Sequence, residues 1–193
     1  MPEIDEYYKS EELPTALVLA GIKEIENHGL SDFSLRRVAT LCGVSCAAPY
    51  RHFKNKNELI LAILSYINGQ WGILQQQIIE SFEGDTRRQL VELCLANVKF
   101  WTANPNFRHV MLMDSSELDE RQKSEQARVY AKTRSLIGKF CRESGLDEEE
   151  EARRALLARS TVYGATQMLG SGELQNSPES YALIKSCFEQ IFS

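Results

Sequence analysis

Apolar residues recur along this chain at spacings of three and four, the spacing that marks one face of an α-helix. Val18, Ile22 and Ile25 show it in the first segment, which begins near Pro14 and ends at Gly29. Strand-like alternation never extends beyond a few residues, and no hairpin dipeptide separates two apolar runs. The pattern therefore predicts an all-α protein of about nine helices.

Two short helices follow the first. Ser34 is a predicted N-cap for the second helix, which ends at Gly43 after about two turns. Ser45 is a predicted cap for the third, which runs to Phe53. Later helices are predicted over residues 86–103, 107–113, 117–143 and 148–170, and from Ser177 to the C-terminus.

The fourth helix is long. Asn55 is its predicted cap, Glu58 completes a variant of the capping box, and the helix extends to about Ile79. Because no flexible linker interrupts the pattern, the domain boundary is predicted inside this helix. An N-terminal domain of residues 13–73 and a C-terminal helical bundle of residues 74–193 result, with a helix-turn-helix at 34–53.

Composition excludes several classes of protein. No apolar run is long enough to span a bilayer, and the acidic N-terminus is unlike a secretory signal, so a cytoplasmic location is expected. The five cysteines have no CxxC spacing, and none of the three histidines is near a cysteine at metal-ligand spacing. We therefore expect reduced thiols, no metal site and no cofactor.

Charge is distributed unevenly. The net charge is −5, and residues 1–33 contain eight acidic residues against two lysines. Residues 34–58 contain five basic residues against one glutamate. An acidic protein can bind phosphates through such a local basic face, and here that face coincides with the predicted helix-turn-helix.

The joined motifs of this region carry a family resemblance. FSLRRVATLCGVSCAAPYRHFKNKNELILAI, residues 33–63, contains an F-S-L-R-x-V-A run, a G-V-S turn, a Y-R-H-F segment and a K-x-K-x-E-L start of helix four. It closely resembles the DNA-binding domain of the tetracycline-repressor (TetR) family, and the likeness covers residues 13–73. The resemblance implies an all-α homodimer that binds double-stranded DNA at a two-fold symmetric operator and a small-molecule effector in its C-terminal domain. Members of the family usually repress transcription until the effector releases them.

Pro49 is unusual in a reading helix. If Ser45 is the cap, Pro49 is the fourth helical residue, and its missing N–H removes only the bond back to Ser45. The proline also stiffens the unfolded chain. The third helix is therefore predicted to form despite the proline.

Helix geometry assigns roles along this segment. Cys46, Ala47 and Ala48 begin the reading helix, where small side chains favour apolar contacts such as those with thymine methyl groups. Tyr50 is placed to hydrogen-bond a phosphate, and Arg51 to reach a phosphate or a guanine.

Further DNA contacts are implied by the resemblance and by charge. The family motif makes Arg36 a candidate base contact and His52 a backbone contact, while Lys54 and Lys56 begin a helix that attracts phosphate. The predicted DNA-binding set is Ser34, Arg36, Arg37, Ser45, Cys46, Ala47, Ala48, Tyr50, Arg51, His52, Lys54 and Lys56. With few polar readers, much specificity is expected from DNA shape. Cys46 is alternatively a redox sensor, because helix N-termini favour the thiolate.

The C-terminal part supplies candidates for an effector pocket and a dimer interface. The predicted pocket residues are Phe100, Trp101, Phe107, Met113, Tyr130, Arg159 and Tyr163, with ordinary core packing as the alternative. Arg159 lies in an apolar stripe, where it could hold a ligand carboxylate, pair with a buried acid or extend to solvent. The last two helices form the dimer interface in the family, which suggests Gly164, Leu183, Ile184, Cys187, Phe188 and Ile191.

Three functions are compatible with these patterns. The leading one is a homodimeric, ligand-released transcriptional repressor that is not an enzyme. The first alternative is an interaction protein that keeps the helix-turn-helix scaffold without reading DNA. The second is a helical-bundle enzyme, which lacks support because the sequence contains no carboxylate-histidine pairing, nucleophilic triad or glycine-rich phosphate loop.

Overall fold

The computed structural model describes residues 12–112 and 114–193, and these residues contain helices and no strand. The α-helices are α1 (Leu13–His28), α2 (Leu35–Leu41), α3 (Lys56–Ser81), α4 (Thr86–Ala103), α5 (Pro105–Met111), α6 (Glu120–Ala127), α7 (Ala131–Glu143), α8 (Glu148–Ser171) and α9 (Pro178–Ile191). Short 3-10 helices cover Pro49–Arg51, Ser115–Glu117 and Arg128–Tyr130. The predicted all-α class is confirmed. No helix among the described residues has both the length and the apolar character needed to cross a bilayer.

Side-chain caps begin several helices where the sequence predicts them. Ser34, Asn55 and Asp147 each accept a hydrogen bond from the backbone N–H three residues later, at 3.4, 3.1 and 2.9 Å. These bonds satisfy amide groups that have no acceptor within the helix. The Glu58 carboxylate, predicted to complete the capping box, accepts a hydrogen bond from Arg121 Nη1 at 3.1 Å.

Tertiary contacts divide the chain into two compact units. Unit 1 comprises the described residues up to Gly69 together with those of Asn106–Ala127, and unit 2 comprises Gln70–Pro105 together with Arg128–Ser193. Helix α3 therefore contributes its first half to unit 1 and its second half to unit 2.

The core of unit 1 forms where α1, α2 and the first half of α3 meet. Leu17, Val38, Leu59 and Ile63 are completely buried there. Gly21 permits a close approach of α1 and α3, because a Cβ atom at this position would lie 2.6 Å from Ile63 Cδ1. This core supports the helix-turn-helix that unit 1 carries.

The core of unit 2 is built by α4, α7, α8 and α9. Its buried members include Leu90, Val98, Ile137, Phe140, Phe188 and Phe192. The rings of Phe140 and Phe192 meet edge to face, with centroids 5.7 Å apart. Edge-to-face packing is a favoured geometry for aromatic pairs and adds to the apolar burial.

Replacement of Phe188 by alanine is expected to destabilise unit 2. The side chain is fully buried, so the substitution leaves a cavity and should cost about 3–5 kcal/mol of unfolding free energy. Both tryptophans, Trp71 and Trp101, belong to unit 2, so urea unfolding followed by tryptophan fluorescence measures this unit. Ile73→Ala is the control, because Ile73 is 60% exposed and its loss should change stability by less than about 0.5 kcal/mol. Equal losses for the two variants would contradict this assignment of the core.

Candidate nucleic-acid interface

A tight turn follows α2 and begins the candidate interface. Gly43 has a positive φ of 69°, which a residue with a side chain rarely adopts. The Gly43 N–H donates to Thr40 O and the Val44 N–H donates to Ala39 O, both at 3.1 Å. These two bonds form a Schellman motif, so α2 stops abruptly and the chain turns into the segment predicted to read DNA.

That segment is a short 3-10 helix and not the predicted α-helix over residues 45–53. Ala48 N–H donates to Ser45 O at 2.9 Å, and Arg51 N–H donates to Ala48 O at 3.1 Å. Pro49 has no N–H to continue an α-helical ladder, and a segment this short gains too few bonds to offset the cost of nucleating an α-helix. The reading segment is consequently a turn followed by Pro49–Arg51.

The predicted base-facing side chains lie at the start of this segment. Ser45, Cys46 and Ala47 are exposed and Ala48 is half-buried, while Pro49 is buried and anchors the segment. Small side chains therefore form the local surface. Cys46 lies in a turn and not at the start of an α-helix, so the premise of the redox hypothesis is not met.

Exposed basic and aromatic side chains flank the small residues in the sequence. The Tyr50 side chain is 59% exposed, although tyrosine rings in folded proteins are usually largely buried. Within residues 34–58, the exposed basic side chains are Arg36, Arg51, His52, Lys54 and Lys56. Within residues 12–112 and 114–193, none of these five pairs with a carboxylate. We call Arg36, Tyr50, Arg51, His52, Lys54 and Lys56 the basic face.

Arg37 differs from its neighbour Arg36 because it is held by carboxylates. Its Nε donates to Glu24 Oε1 at 2.6 Å, and its Nη2 donates to the Asp32 carbonyl. The hydrogen bond that Arg37 donates to Glu24 raises the pKa of Arg37, so the guanidinium stays charged. The Glu24 carboxylate also accepts the backbone N–H of Ser34 at 3.2 Å and lies 3.2 Å from His28 Nδ1. Arg37 and Ser34, both predicted DNA contacts, therefore take part in the joint between α1 and α2.

Glu24 was not among the residues singled out from the sequence. Its side chain is only 1% exposed. It lies on the buried face of α1 with Leu17, Gly21 and Ile25, at helical spacing. An acidic residue on an apolar stripe is a signal of a buried ion pair, and it could have pointed to a basic partner on the next helix.

The predicted effector residues fall into three groups. Tyr130, Arg159 and Tyr163 meet in unit 2, where the two phenol oxygens are 2.5 Å apart. Phe100 and Trp101 are neighbouring rings of unit 2, with centroids 4.9 Å apart. Phe107 belongs to unit 1, and Met113 lies outside the described residues.

Phe107 borders an open cavity of about 670 Å³ in unit 1. Residues from α1, the end of α2 and the start of α5 line this cavity, including Leu19 and Leu41. The ring of Phe107 also packs edge to face against Tyr66, with centroids 6.1 Å apart. Phe107 thus belongs to unit 1, whereas Tyr130 and Tyr163 belong to unit 2.

The predicted dimer residues divide between core and surface. Ile184 and Phe188 are buried in the core of unit 2, and Ile191 is half-buried beside it. Gly164, Leu183 and Cys187 are exposed. Ile184 and Phe188 are therefore already buried within their own chain. A partner chain on the surface of α8 and α9 would contact the exposed residues of these helices instead. Leu156, Leu157 and Met168 add apolar surface on α8.

Comparisons with known proteins agree with this geometry. Residues 17–63 match the family model described as bacterial regulatory proteins, tetR family. A TetR family transcription regulator from Marinobacter aquaeolei VT8 has a TM-score of 0.76 at 15% identity, covering 94% of this chain and 95% of its own. A TetR family regulator from Thermus thermophilus has a TM-score of 0.67 at 16% identity, and the match covers 96% of both chains. One from Bordetella parapertussis has a TM-score of 0.65 at 14% identity, and the match covers 95% of both chains. No curated protein matches the sequence.

Loss of the Glu24 carboxylate is expected to loosen the joint between α1 and α2. In Glu24→Ala the Ser34 N–H loses its acceptor, so unit 1 should lose about 1–3 kcal/mol of stability. Hydrogen exchange of the α2 amides measures this opening directly. Glu26→Ala is the matched control, because Glu26 is an exposed acid on the same helix. If α2 exchanged at the same rate in both variants, Glu24 would not hold the joint.

Proposed function

We propose that this chain, whose residues 17–63 match the TetR family model, is a homodimeric repressor that a small molecule releases from its operator. Residues 13–73 form the DNA-binding domain in this proposal, and residues 74–193 form the effector and dimerisation domain. The match of residues 17–63 to the family model and the shared fold support a DNA-binding regulator. The repressor activity, the dimer and the effector are the proposed steps.

The proposal of DNA binding is supported by the positive charge of the basic face, which described carboxylates do not neutralise. Arg36, Arg51, Lys54 and Lys56 extend into solvent beside the reading segment without carboxylate partners in the described part of the chain. Cations whose charge is not neutralised within the protein are available to replace counterions on DNA phosphates. In this arrangement Lys54 and Lys56 hold the backbone at the start of α3, and Tyr50 and His52 add hydrogen bonds to it.

Base recognition is assigned to the small residues and to two arginines. Cys46, Ala47 and Ala48 can approach base edges closely and contact thymine methyl groups. Arg36 and Arg51 are the side chains long enough to donate two hydrogen bonds to a guanine. Arg37 and Ser34 act indirectly, because their contacts with Glu24 orient α2 beneath the reading segment.

The dimer is assigned to the exposed apolar face of α8 and α9. Leu156 is 66% exposed and Leu183 is 61% exposed, although both lie on helices that also contribute to the core. Gly164, an exposed residue of α8, has open space where a Cβ would lie, so a partner helix could approach its backbone. A two-fold dimer would present two basic faces to a two-fold symmetric operator.

Removal of two cations of the basic face should weaken DNA binding strongly. Arg51→Ala with Lys56→Ala is expected to lower affinity by tens-fold, on the order of 2–3 kcal/mol for two contacts, and to reduce the salt dependence. The operator is first recovered by selecting bound fragments from sheared DNA of the source genome, and affinity is then measured by fluorescence anisotropy at two salt concentrations.

The matched control changes the same amount of charge elsewhere. Lys139→Ala with Arg153→Ala removes two exposed cations of unit 2, so its operator affinity should stay near that of the parent protein. A similar loss in both double variants would indicate a general charge effect. Recovery of no enriched sequence at either salt concentration would favour an interaction protein that does not read DNA.

A charge placed on the α8 and α9 face should separate the dimer. Leu183→Glu introduces a carboxylate that would be desolvated at the interface, so the variant is expected to sediment as a monomer at micromolar concentration. Ile73→Glu, at a similarly exposed aliphatic position on α3, should leave the dimer intact. A parent protein that sediments as a monomer, or a Leu183→Glu variant that remains dimeric, would refute this interface.

A further inference from the structure

Three side chains form a compact polar cluster in unit 2. Arg159 and Tyr163 lie one turn apart on α8, and Tyr130 ends the 3-10 helix that precedes α7. The Arg159 guanidinium carbon lies 4.4 Å from the ring centroid of Tyr130 and 5.4 Å from that of Tyr163. Arg159 Nη2 also donates to Tyr163 Oη at 3.3 Å. We call these residues the Arg159 cluster.

The charge of Arg159 has no counterion in the part of the chain that the structure describes. Other arginines of the same helix do: Arg153 lies 2.9 Å from Glu150, and Arg154 lies 3.4 Å from the same carboxylate. The hydrogen bond to Tyr163 raises the pKa of Arg159, so its charge persists. A guanidinium has five N–H donors, and most of those on Arg159 remain available to a ligand.

The two phenols add a further donor. Tyr130 Oη and Tyr163 Oη are 2.5 Å apart, so one hydroxyl proton bridges them and the other hydroxyl can donate outward. Burial, together with the bond to Tyr163, raises the pKa of Tyr130, so this phenol stays neutral and keeps its proton. The cluster thus combines a positive charge with N–H and O–H donors, as an anion site requires.

The surroundings favour an anion attached to an apolar body. Val129, next to Tyr130, is buried, and its carbonyl accepts a hydrogen bond from Trp71 Nε1 at 3.3 Å. The ring of Trp71 in turn stacks at a tilt on Phe100, with centroids 5.3 Å apart. The backbone next to Tyr130 is therefore in contact with the aromatic pair of Trp71 and Phe100.

Unit 2 also contains buried polar side-chain atoms to which the described part of the chain offers no hydrogen bond. Among the described residues, Gln75 Nε2 and Asn97 Oδ1 find no hydrogen-bond partner, and Gln75 and Asn97 are only 4% and 5% exposed. Gln75 lies one turn after Trp71 on α3, and Asn97 lies one turn before Phe100 on α4. Buried polar atoms are nearly always satisfied in folded proteins, and a bound ligand or water is the usual partner when the chain provides none.

We infer that the Arg159 cluster binds the carboxylate of a small effector whose apolar body packs against the aromatic residues of unit 2. One planar guanidinium with two phenols suits a single planar carboxylate, which can accept two parallel N–H bonds. The inference rests on the proposed function, since it names the chemical class of the effector that unit 2 would bind.

Titration with two carboxylates and their uncharged amides tests the inference. Benzoate and octanoate are the carboxylates, benzamide and octanamide the neutral probes, and binding is followed by tryptophan fluorescence and calorimetry. At least one carboxylate should bind with a Kd below about 1 mM and more tightly than its amide. Arg159→Gln should weaken that binding roughly tenfold to a hundredfold, because a charged hydrogen bond is lost.

Two more variants separate the roles of charge and hydroxyl. Tyr163→Phe should weaken carboxylate binding roughly threefold to tenfold while leaving the weak amide binding nearly unchanged. Arg153→Gln is the matched control, because Arg153 is an exposed arginine of the same helix that already has carboxylate partners, and it should bind like the parent protein. Equal affinity in Arg159→Gln and the parent protein, or binding of the amides alone, would overturn the inference.

Failure of the carboxylate inference can be distinguished from failure of the proposed regulator function. Carboxylate binding is measured without DNA, so a protein that binds carboxylate through Arg159 but recovers no operator would support the inference and refute the regulator. A protein that binds its operator and neither carboxylate up to millimolar concentration would refute the inference and leave the regulator intact.

Discussion

A single buried carboxylate sets the geometry on which the candidate DNA interface depends. Glu24 is on α1, and it bonds both the backbone at the start of α2 and the guanidinium of Arg37. A carboxylate is expensive to bury unless its oxygens are paired, so the packing of α1 against α2 is favourable only when these donors are supplied. The orientation of α2 determines where the turn at Gly43 begins, and therefore where the residues of the reading segment lie.

Pairing of charges also explains how an acidic chain can offer a basic surface. The chain has a net charge of −5, yet several of its acidic residues pair with cations at structural joints. Arg36 and Arg37 are adjacent in sequence and differ in this respect: one extends into solvent and the other is held by Glu24 and Asp32. The electrostatic field at the reading segment comes from local cations to which no described carboxylate is paired, and net charge is a poor guide to that field.

Helix boundaries could be predicted because they are encoded locally, as at Ser34 and Asn55, whose capping bonds span three residues. The 3-10 helix after Ser45 was missed because a proline near the start of a helix is compatible with either geometry, and the choice depends on the surrounding packing. Contacts between distant residues were harder to predict. The bond between Glu24 and Arg37 joins two helices. The members of the Arg159 cluster were singled out individually, but their meeting across helices requires the tertiary packing.

In the proposed interface, different residues of the reading segment and its flanks would contribute to DNA affinity and to sequence specificity. Its small residues, Cys46 to Ala48, have no side-chain amide or guanidinium with which to read base edges, whereas the cations around them suit phosphates. The buried Pro49 restricts the backbone between these two groups, so little entropy remains to be lost when the segment docks. In the proposed regulator, phosphate contacts would supply most of the binding energy, and the DNA would have to fit a rigid surface. Discrimination among sequences then depends on methyl contacts and on how readily each sequence adopts the required groove shape.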